Sequence, residues 1–198
     1  MEFATMQKHA SLRLEAEPVL RHTVYLGIGS NIGDRLKHLQ EAVDLLSNLP
    51  NTEVTGISEI YMTEPVGVTE QERFYNGVVR LETGLLPENL RSHCKAIEHN
   101  LGRPEQYIRW SPRVIDLDIL LYDDLTIQNS VLCIPHKELT NRMFVLIPLL
   151  DLADPEHPLL HRPASALLDT CPDRSVLIRL RKRIAMNTVS RKSVAGSR

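Results

Sequence analysis

The segment from Arg109 to Leu121 constrains the fold of this chain most, because it places two carboxylates inside an apolar strand. Residues 114–122 are rich in β-branched and long apolar side chains, which predicts a strand buried on both faces. Asp116 and Asp118 interrupt this pattern. Residues two apart in a strand lie on the same face, roughly 7 Å from each other. Because burial of two unpaired acids is costly, we expect a cation to pair with them.

Arginines precede this strand and supply the opposite charge. They are Arg103, Arg109 and Arg113, with Trp110 among them. Magnesium is commonly bound by one or two carboxylates together with substrate phosphates, and guanidinium groups match phosphate oxygens bidentately. The segment therefore predicts a site for a polyphosphate and its metal. The alternative, from the residues alone, is an edge strand whose acids simply pair with the arginines.

Further motifs occur in the order and at the spacing of one enzyme family. They are Leu26-Gly27-Ile28-Gly29-Ser30-Asn31-Ile32-Gly33-Asp34, Tyr61-Met62-Thr63-Glu64-Pro65, Phe74-Tyr75-Asn76, Glu98-His99-Asn100-Leu101-Gly102-Arg103, Ile134-Pro135-His136 and Asn141-Arg142-Met143-Phe144. Together with Arg109-Trp110-Ser111-Pro112-Arg113 and Asp116-Leu117-Asp118-Ile119, this set resembles the 6-hydroxymethyl-7,8-dihydropterin pyrophosphokinases of folate biosynthesis. The resemblance runs from about residue 23 to about residue 152.

The resemblance implies an enzyme that transfers pyrophosphate from ATP to 6-hydroxymethyl-7,8-dihydropterin and releases AMP. It implies two magnesium ions held by Asp116 and Asp118, with Arg103 and Arg113 completing the catalytic set. Such transfer relies on positioning and charge stabilisation rather than on a protein nucleophile. The residues implied to contact ATP are Glu98, Arg103, Arg109, Trp110, Arg113, Ile119, His136 and Arg142. The residues implied to bind the pterin are Thr63, Val66, Phe74, Asn76, Trp110 and Phe144.

The chain departs from the family pattern at a few positions. Ser111 stands where glycine or alanine is usual, and Glu64 where proline is common. Lys137 replaces an aromatic residue, and Glu105 falls where some members have another arginine. The resemblance implies that the loop with Arg109 and Trp110 closes over the site. Lys137 therefore bears on the contact with ATP and Glu105 on the closure of this loop, and none of the four changes touches the catalytic set.

The order of predicted elements favours an α+β fold. Strands are predicted at 23–29, 54–62, 76–82 and 114–122, and helices at 36–48 and 87–101. This order is typical of a ferredoxin-like (split βαβ) core, with a central, mostly antiparallel sheet and helices packed on it, and the resemblance implies the same fold. A short helix is predicted at 164–169 and a terminal strand at 175–180.

Composition and charge set the expected organisation. The chain has 198 residues, 42% hydrophobic and 24% charged, which is typical of one globular domain. We predict an N-terminal extension at 1–22, a pyrophosphokinase domain at 23–180 and a basic, disordered tail at 181–198. No apolar run approaches the roughly 20 residues of a membrane span, and no secretory stretch opens the chain, so we expect a cytoplasmic protein. The three cysteines lack metal-ligand spacing and are interpreted as small hydrophobic residues.

Two other classes of function fit the sequence less well. An RNA-binding ferredoxin-like module needs exposed aromatics on a basic sheet, whereas aromatic content here is 5% and the strand at 114–122 carries acids. A different magnesium-dependent transferase is compatible with the acids and arginines alone, but the pair Phe74 and Phe144 with Asn76 argues against it. The expected partners are therefore ATP and the pterin, with no nucleic acid and no membrane, and the sequence is compatible with a monomer.

The glycines at the start of the motif series leave two interpretations open. Gly27 and Gly29 would need a glycine at position 32 for a dinucleotide fingerprint, and Ile32 stands there. They form either a tight turn from strand to helix or a place where the backbone contacts the ligand.

Overall fold

The structure is a computed structural model that describes residues 20–65, 70–104 and 111–186. Its first half contains β1 (His22–Ser30), α1 (Arg35–Ser47), β2 (Thr52–Ile57), β3 (Tyr61–Thr63), β4 (Phe74–Thr83) and α2 (Pro87–Asn100). Its second half contains β5 (Asp116–Tyr122), β6 (Ile127–Gln128), β7 (Cys133–Ile134), a short 3-10 helix (Leu139–Asn141), α3 (Met143–Leu150), β8 (Glu156–His157), β9 (Arg162–Pro163), α4 (Ala164–Asp169) and β10 (Ile178–Arg179).

The main sheet is antiparallel and has the strand order β5-β1-β4-β3-β10, with β2 also pairing with β4. The second strand of the βαββαβ order is divided into β2 and β3, and the two central strands are β1 and β4. This arrangement confirms the predicted ferredoxin-like α+β fold.

Local sequence explains where the two long helices begin and which face they bury. The carboxylate of Asp34 accepts the backbone N–H of Lys37 at 3.2 Å and caps α1. Helix α2 begins at Pro87, where the missing backbone N–H has no intrahelical partner to lose. The buried side chains of α1 repeat at helical spacing: Leu39, Ala42, Val43 and Leu46.

Helices cover both faces of the main sheet. Helices α1 and α2 pack on one face, and α3 and α4 belong to a second cluster on the other face. Cys94 is buried in the first cluster and Cys171 in the second, as expected for small hydrophobic residues, whereas Cys133 is only partly buried. No helix in the three described ranges is both long enough and apolar enough to cross a membrane.

The predicted strand at 54–62 is divided in the structure. Ser58 lies in the break between β2 and β3, where its backbone N–H donates to the carbonyl of Val78 at 2.9 Å. The Ser58 hydroxyl accepts the backbone N–H of Val78 at 2.8 Å. Because the side chain replaces a backbone acceptor here, the chain bends without leaving β4 unpaired. The apolar pattern alone could not show this break.

Strand β5 begins two residues later than predicted and lies at the edge of the main sheet. From Leu117 to Tyr122 all but Asp118 are buried, which confirms the prediction of a strand covered on both faces. The outer edge is covered as well, because the backbone N–H of His136 donates to the carbonyl of Leu120 at 2.9 Å. The two acids therefore lie in a strand that is enclosed by protein.

The C-terminal segment packs along the sheet and α1. Strand β10 pairs with β3. Gln40 exchanges two hydrogen bonds with the backbone of Ala185, accepting its N–H at 2.8 Å and donating to its carbonyl at 3.0 Å. Residues 181–186, which the sequence analysis assigns to the tail, thus contact the domain. The remainder of the predicted tail, 187–198, and residues 1–19 of the extension lie outside the described residues.

Candidate active site

The floor of a mainly apolar cavity beside β1 is formed by glycines in this central strand. Gly29 lies opposite Asn76 of β4 and Asp116 of β5, and Gly27 lies opposite Asp118. A Cβ atom at Gly29 would be 2.8 Å from Asn76 Oδ1, so a larger residue would fill the space between these side chains. Both glycines lie inside β1 rather than in a turn, which favours the interpretation of close approach to a ligand. The glycine spacing alone does not indicate this gap in the floor, because the gap depends on the pairing of β1 with β4 and β5.

Aromatic and amide side chains form the walls of this cavity. Phe74 begins β4, Phe144 lies in the first turn of α3, and both line the cavity with Asn76. The amide Nδ2 of Asn76 donates to Thr63 Oγ1 at 2.8 Å. This bond orients the amide and leaves its oxygen and one N–H for other partners. The cavity is therefore suited to a flat heterocycle with donors and acceptors along one edge.

Each of the two aromatic rings contacts an arginine. The Cζ atom of Arg113 lies 5.1 Å from the centroid of the Phe74 ring, and that of Arg142 lies 5.5 Å from the centroid of the Phe144 ring. These distances are within the range of cation–π interactions. The predicted phosphate-binding and pterin-binding groups are therefore direct neighbours.

The two acids of β5 have different surroundings. Asp116 Oδ1 lies 2.5 Å from Arg103 Nη1, and Asp116 Oδ2 lies 3.0 Å from Arg113 Nε. Burial opposes ionisation of Asp116, but the two guanidinium groups outweigh it and hold the pKa of this carboxyl below its usual value. The alternative drawn from the residues alone, acids paired with arginines, thus describes Asp116.

Asp118 makes no hydrogen bond or ion pair with any residue in the part of the chain that the structure describes. Burial and the negative charge of Asp116 raise the pKa of Asp118, and nearby His136 only partly offsets them. Burial in turn lowers the pKa of His136 below its usual value, although Asp118 opposes this shift. A bound cation would therefore stabilise the ionised form of Asp118.

The carboxylates of Asp116 and Asp118 can hold magnesium only if a substrate supplies further oxygen ligands. Among residues 20–65, 70–104 and 111–186, no group of three or more histidine, cysteine, aspartate or glutamate residues is placed to hold a metal ion. Magnesium, however, commonly takes one or two carboxylates and fills its other positions with phosphate oxygens and water. Asp118, with Asp116 beside it on the same face of β5, matches that pattern.

Charged side chains of alternating sign, Lys95, Glu98, Arg103 and Asp116, form a row in which Glu98 and Arg103 are buried. The Glu98 side chain is only 3% exposed, and its carboxylate accepts hydrogen bonds from Lys95 at 2.7 Å and from the backbone N–H of Leu117 at 2.8 Å. Arg103 Nη1 lies 3.0 Å from the same carboxylate. Burial raises the pKa of Glu98, although Lys95 and Arg103 oppose that shift. The structure thus places Glu98 where it holds Arg103 and β5, and its contact with ATP stays a prediction.

Asn31 joins two segments of the site. Its side chain is buried, and its Oδ1 accepts the backbone N–H of Arg113 at 2.7 Å. Its Nδ2 donates to Gln71 Oε1 at 3.1 Å and to the carbonyl of Glu72 at 3.3 Å. In the sequence Asn31 is only one residue of a motif, and its position as a polar side chain directly after an apolar strand is the one signal of such a role.

A second, more polar groove meets the cavity along β5. It is lined by residues of α2, the β6–β7 hairpin and the segment around the 3-10 helix. Among the residues predicted to contact ATP, it includes Arg103, Arg113, Ile119, His136 and Arg142. Five residues line both the groove and the cavity: Arg113, Asp116, Asp118, His136 and Arg142. The predicted residues Val66, Arg109 and Trp110 lie outside the described residues.

Comparison with known proteins adds an independent observation. The sequence model of the family described as 7,8-dihydro-6-hydroxymethylpterin-pyrophosphokinase (HPPK) matches residues 25–154. The 2-amino-4-hydroxy-6-hydroxymethyldihydropteridine pyrophosphokinase of Pseudomonas aeruginosa is 39% identical over 149 residues, which are 75% of this chain and 91% of the relative. The folic acid synthesis protein fol1 of Schizosaccharomyces pombe is 42% identical over 153 residues, which are 77% of this chain but 21% of that protein.

Solved structures show the same fold. The crystal structure of wild-type Plasmodium falciparum HPPK-DHPS matches with a TM-score of 0.61 and 16% identity, over 78% of this chain and 45% of that chain. This chain therefore spans less than half of the Plasmodium protein and about a fifth of the S. pombe protein, whereas it spans most of the Pseudomonas relative.

Proposed function

This chain belongs to the 7,8-dihydro-6-hydroxymethylpterin-pyrophosphokinase family, and we propose that it transfers pyrophosphate from ATP to 6-hydroxymethyl-7,8-dihydropterin. The products are the pterin diphosphate and AMP. One observation carries the proposal: Asp116 and Asp118 line both the aromatic cavity and the arginine-lined groove. A flat substrate in the cavity and a triphosphate in the groove would meet at these acids.

In this reaction the hydroxymethyl oxygen of the pterin forms a bond to the β-phosphorus of ATP. The bond from that phosphorus to the oxygen it shares with the α-phosphorus breaks, AMP leaves, and the hydroxyl proton is released. Asn76 and the rings of Phe74 and Phe144 would hold the pterin. Arg113 and Arg142 are adjacent to those rings, so they can stabilise negative charge on the phosphates as the bond changes.

Magnesium is part of this proposal, with Asp118 and Asp116 as its protein ligands and two ions expected from the family resemblance. When bound, the metal would neutralise charge on the ATP phosphates. No side chain among the described residues forms an ion pair with Asp118, so its oxygens remain available to the metal. Arg103 and Arg113 meanwhile fix the position of Asp116.

The experiment that tests the proposal identifies the nucleotide product. The full chain is incubated with ATP, magnesium and 6-hydroxymethyl-7,8-dihydropterin, and nucleotides and pterins are separated. We expect AMP and pterin diphosphate to appear in equal amounts. ADP with a pterin monophosphate would identify a simple kinase, and no pterin-dependent change with folded protein would favour a binding module.

The floor of the cavity gives a prediction for substrate binding. In Gly29→Ala the new Cβ would lie 2.8 Å from Asn76 Oδ1, so the amide must move and the space for the pterin shrinks. We expect KM for the pterin to rise about tenfold, since overpacking of this kind costs roughly 1–3 kcal/mol, with KM for ATP changed much less. Steady-state kinetics with each substrate varied in turn measure both constants.

A matched variant separates this effect from general strain in the sheet. Gly56 lies in β2, outside the cavity, and a Cβ there would lie 3.1 Å from Leu152 Cδ2. Gly56→Ala adds the same methyl group to the sheet and should leave KM for the pterin unchanged. Equal changes in KM for both variants would contradict the assignment of Gly29 to the pterin floor.

A further inference from the structure

The first turn of α3 carries two groups of the candidate site. Arg142 is the residue that precedes the helix, and Phe144 is its second residue. Both line the cavity, and the Arg142 guanidinium lies over the Phe144 ring. The position of this turn therefore determines one wall of the pterin cavity.

The C-terminal end of α3 is tied to the main sheet. The Tyr61 hydroxyl donates to the carboxylate of Asp151, at 3.0 Å and 3.2 Å from its two oxygens. The backbone N–H of Glu59 donates to the same carboxylate at 3.1 Å. Residues of β3 and the segment before it thus anchor the helix at the end away from Phe144.

The N-terminal end of α3 depends on a residue from further along the chain. Arg142 provides no side-chain cap. Instead, Asp173 Oδ2 accepts the backbone N–H of Met143 at 2.9 Å, and Asp173 Oδ1 accepts the backbone N–H of Ser175 at 2.8 Å. Asp173 follows α4 and lies beyond residues 25–154, the range that the family model matches.

We propose that Asp173 is a positioning residue for pterin binding, which acts by holding the first turn of α3 so that Phe144 forms the cavity wall. The proposal rests on the proposed function, because it assigns that cavity to the pterin. A carboxylate cap at a helix start satisfies an otherwise unpaired N–H and complements the helix dipole. Without the cap, the turn would have to be ordered when the ligand binds, and that cost would reduce affinity.

Asp173 remains ionised in its surroundings. Burial opposes ionisation, but the backbone N–H groups of Ser175 and Met143 outweigh it and lower the pKa of Asp173 below the usual value. The positive charge of Arg142 adds to this shift. Asparagine keeps one oxygen that can accept the Met143 N–H, but its amide nitrogen is a donor and cannot accept the Ser175 N–H. The asparagine variant can therefore retain the cap on α3 while it loses the charge and the bond to Ser175.

The test measures binding by titration calorimetry, without turnover. The full chain with magnesium and a non-hydrolysable ATP analogue is titrated with 6-hydroxymethyl-7,8-dihydropterin. We expect Asp173→Ala to weaken pterin binding about fivefold, which corresponds to the roughly 1 kcal/mol of a lost helix cap, with affinity for the ATP analogue changed less than about twofold. Asp173→Asn, which keeps an acceptor for the Met143 N–H, should lose less pterin affinity than Asp173→Ala.

A second cap in the same chain provides the matched control. The carboxylate of Asp154 accepts the backbone N–H of Ser165 at 2.8 Å and its hydroxyl at 2.6 Å, at the start of α4. Asp154 does not line the cavity. We expect both Asp154→Ala and Asp173→Ala to lower the urea midpoint, but only Asp173→Ala to weaken pterin binding.

The outcomes are distinguishable from failure of the proposed function. If the unchanged protein does not bind the pterin, the proposed function fails, and this proposal fails with it. If it binds, the proposal alone is overturned by unchanged affinity in Asp173→Ala, by Asp173→Asn behaving like Asp173→Ala, or by equal weakening of pterin and ATP analogue. Should Asp173→Ala not fold, Asp173→Ser, which keeps a shorter acceptor, takes its place. The serine variant must then bind the pterin more weakly than the unchanged protein, with unchanged nucleotide affinity, and unchanged pterin affinity would overturn the proposal.

Discussion

Replacing Asp118 by asparagine is expected to lower kcat by about 10³-fold while the fold remains intact. The loss follows because a carboxylate-held magnesium ion is worth several kcal/mol of charge stabilisation, and each ~1.4 kcal/mol corresponds to a factor of ten in rate. The measurement is steady-state AMP formation at saturating ATP and pterin, repeated over a range of magnesium concentrations. We expect the variant to need more magnesium as well as to turn over more slowly.

Stability should not fall in this variant. Asp118 has no hydrogen-bond or ion-pair partner within the described ranges, and burial and Asp116 raise its pKa. An acid whose pKa is raised on folding lowers stability once pH rises above the unfolded value. Neutral asparagine removes that cost, so urea unfolding at neutral pH without magnesium should give an equal or higher midpoint.

Asp124 provides the control, because it is an exposed aspartate in the turn that follows β5. Asp124→Asn removes the same charge and should leave kcat and its magnesium dependence unchanged. Near-normal kcat in Asp118→Asn would refute the metal assignment. A marked loss of stability would instead show that Asp118 has a structural role.

Helices and strands are predicted well where the apolar residues follow a single helical or strand spacing. The apolar repeat of α1 and the alternation of β4 correspond to elements of the structure, as does the order that defines the fold. The break at Ser58 was missed because a side-chain hydroxyl there substitutes for a backbone acceptor, and hydrophobic patterns do not record such a bond. In residues 181–186 basic charge dominates the sequence pattern and predicts a tail, whereas their contact with Gln40 depends on a residue far away in the chain.

The sequence predicts which residues form the site, but not which of them pair with each other. The spacing of Asp116 and Asp118 placed both on one face of a strand, as the register of β5 with β1 also does. Nothing in that spacing indicates that one acid is held by two arginines and the other by none of the described residues. Such differences arise from residues distant in sequence, such as Glu98 behind Arg103.

Replacing Arg103 by methionine is expected to reduce both stability and activity. The Arg103 side chain is 6% exposed and lies between the carboxylates of Glu98 and Asp116. Removing one partner from a buried ion pair typically costs about 3–5 kcal/mol, because the remaining charge is left uncompensated. We expect a loss of that size in the free energy of urea unfolding at neutral pH, together with a fall of about 10²-fold or more in kcat.

The stability loss should depend on pH in a defined direction. Arg103 helps to hold the pKa of Asp116 below its usual value, so this part of its stabilisation is present at neutral pH and is lost as pH falls through the folded pKa of Asp116. The difference in unfolding free energy between the unchanged protein and Arg103→Met should therefore narrow in acid. A constant difference across that range would argue against the charge explanation.

A double variant separates the structural role of Arg103 from its role in the reaction. Glu98→Gln removes one of the two stranded carboxylates, while the glutamine oxygen can still accept the N–H of Leu117. Lys95, the partner that Glu98 would leave, is 37% exposed and can be solvated. We therefore expect Arg103→Met with Glu98→Gln to recover part of the lost stability but none of the lost kcat. If kcat recovers together with stability, Arg103 only supports the fold. Removing the charge of Glu98 can restore stability, but it cannot replace a guanidinium group that stabilises negative charge on the phosphates.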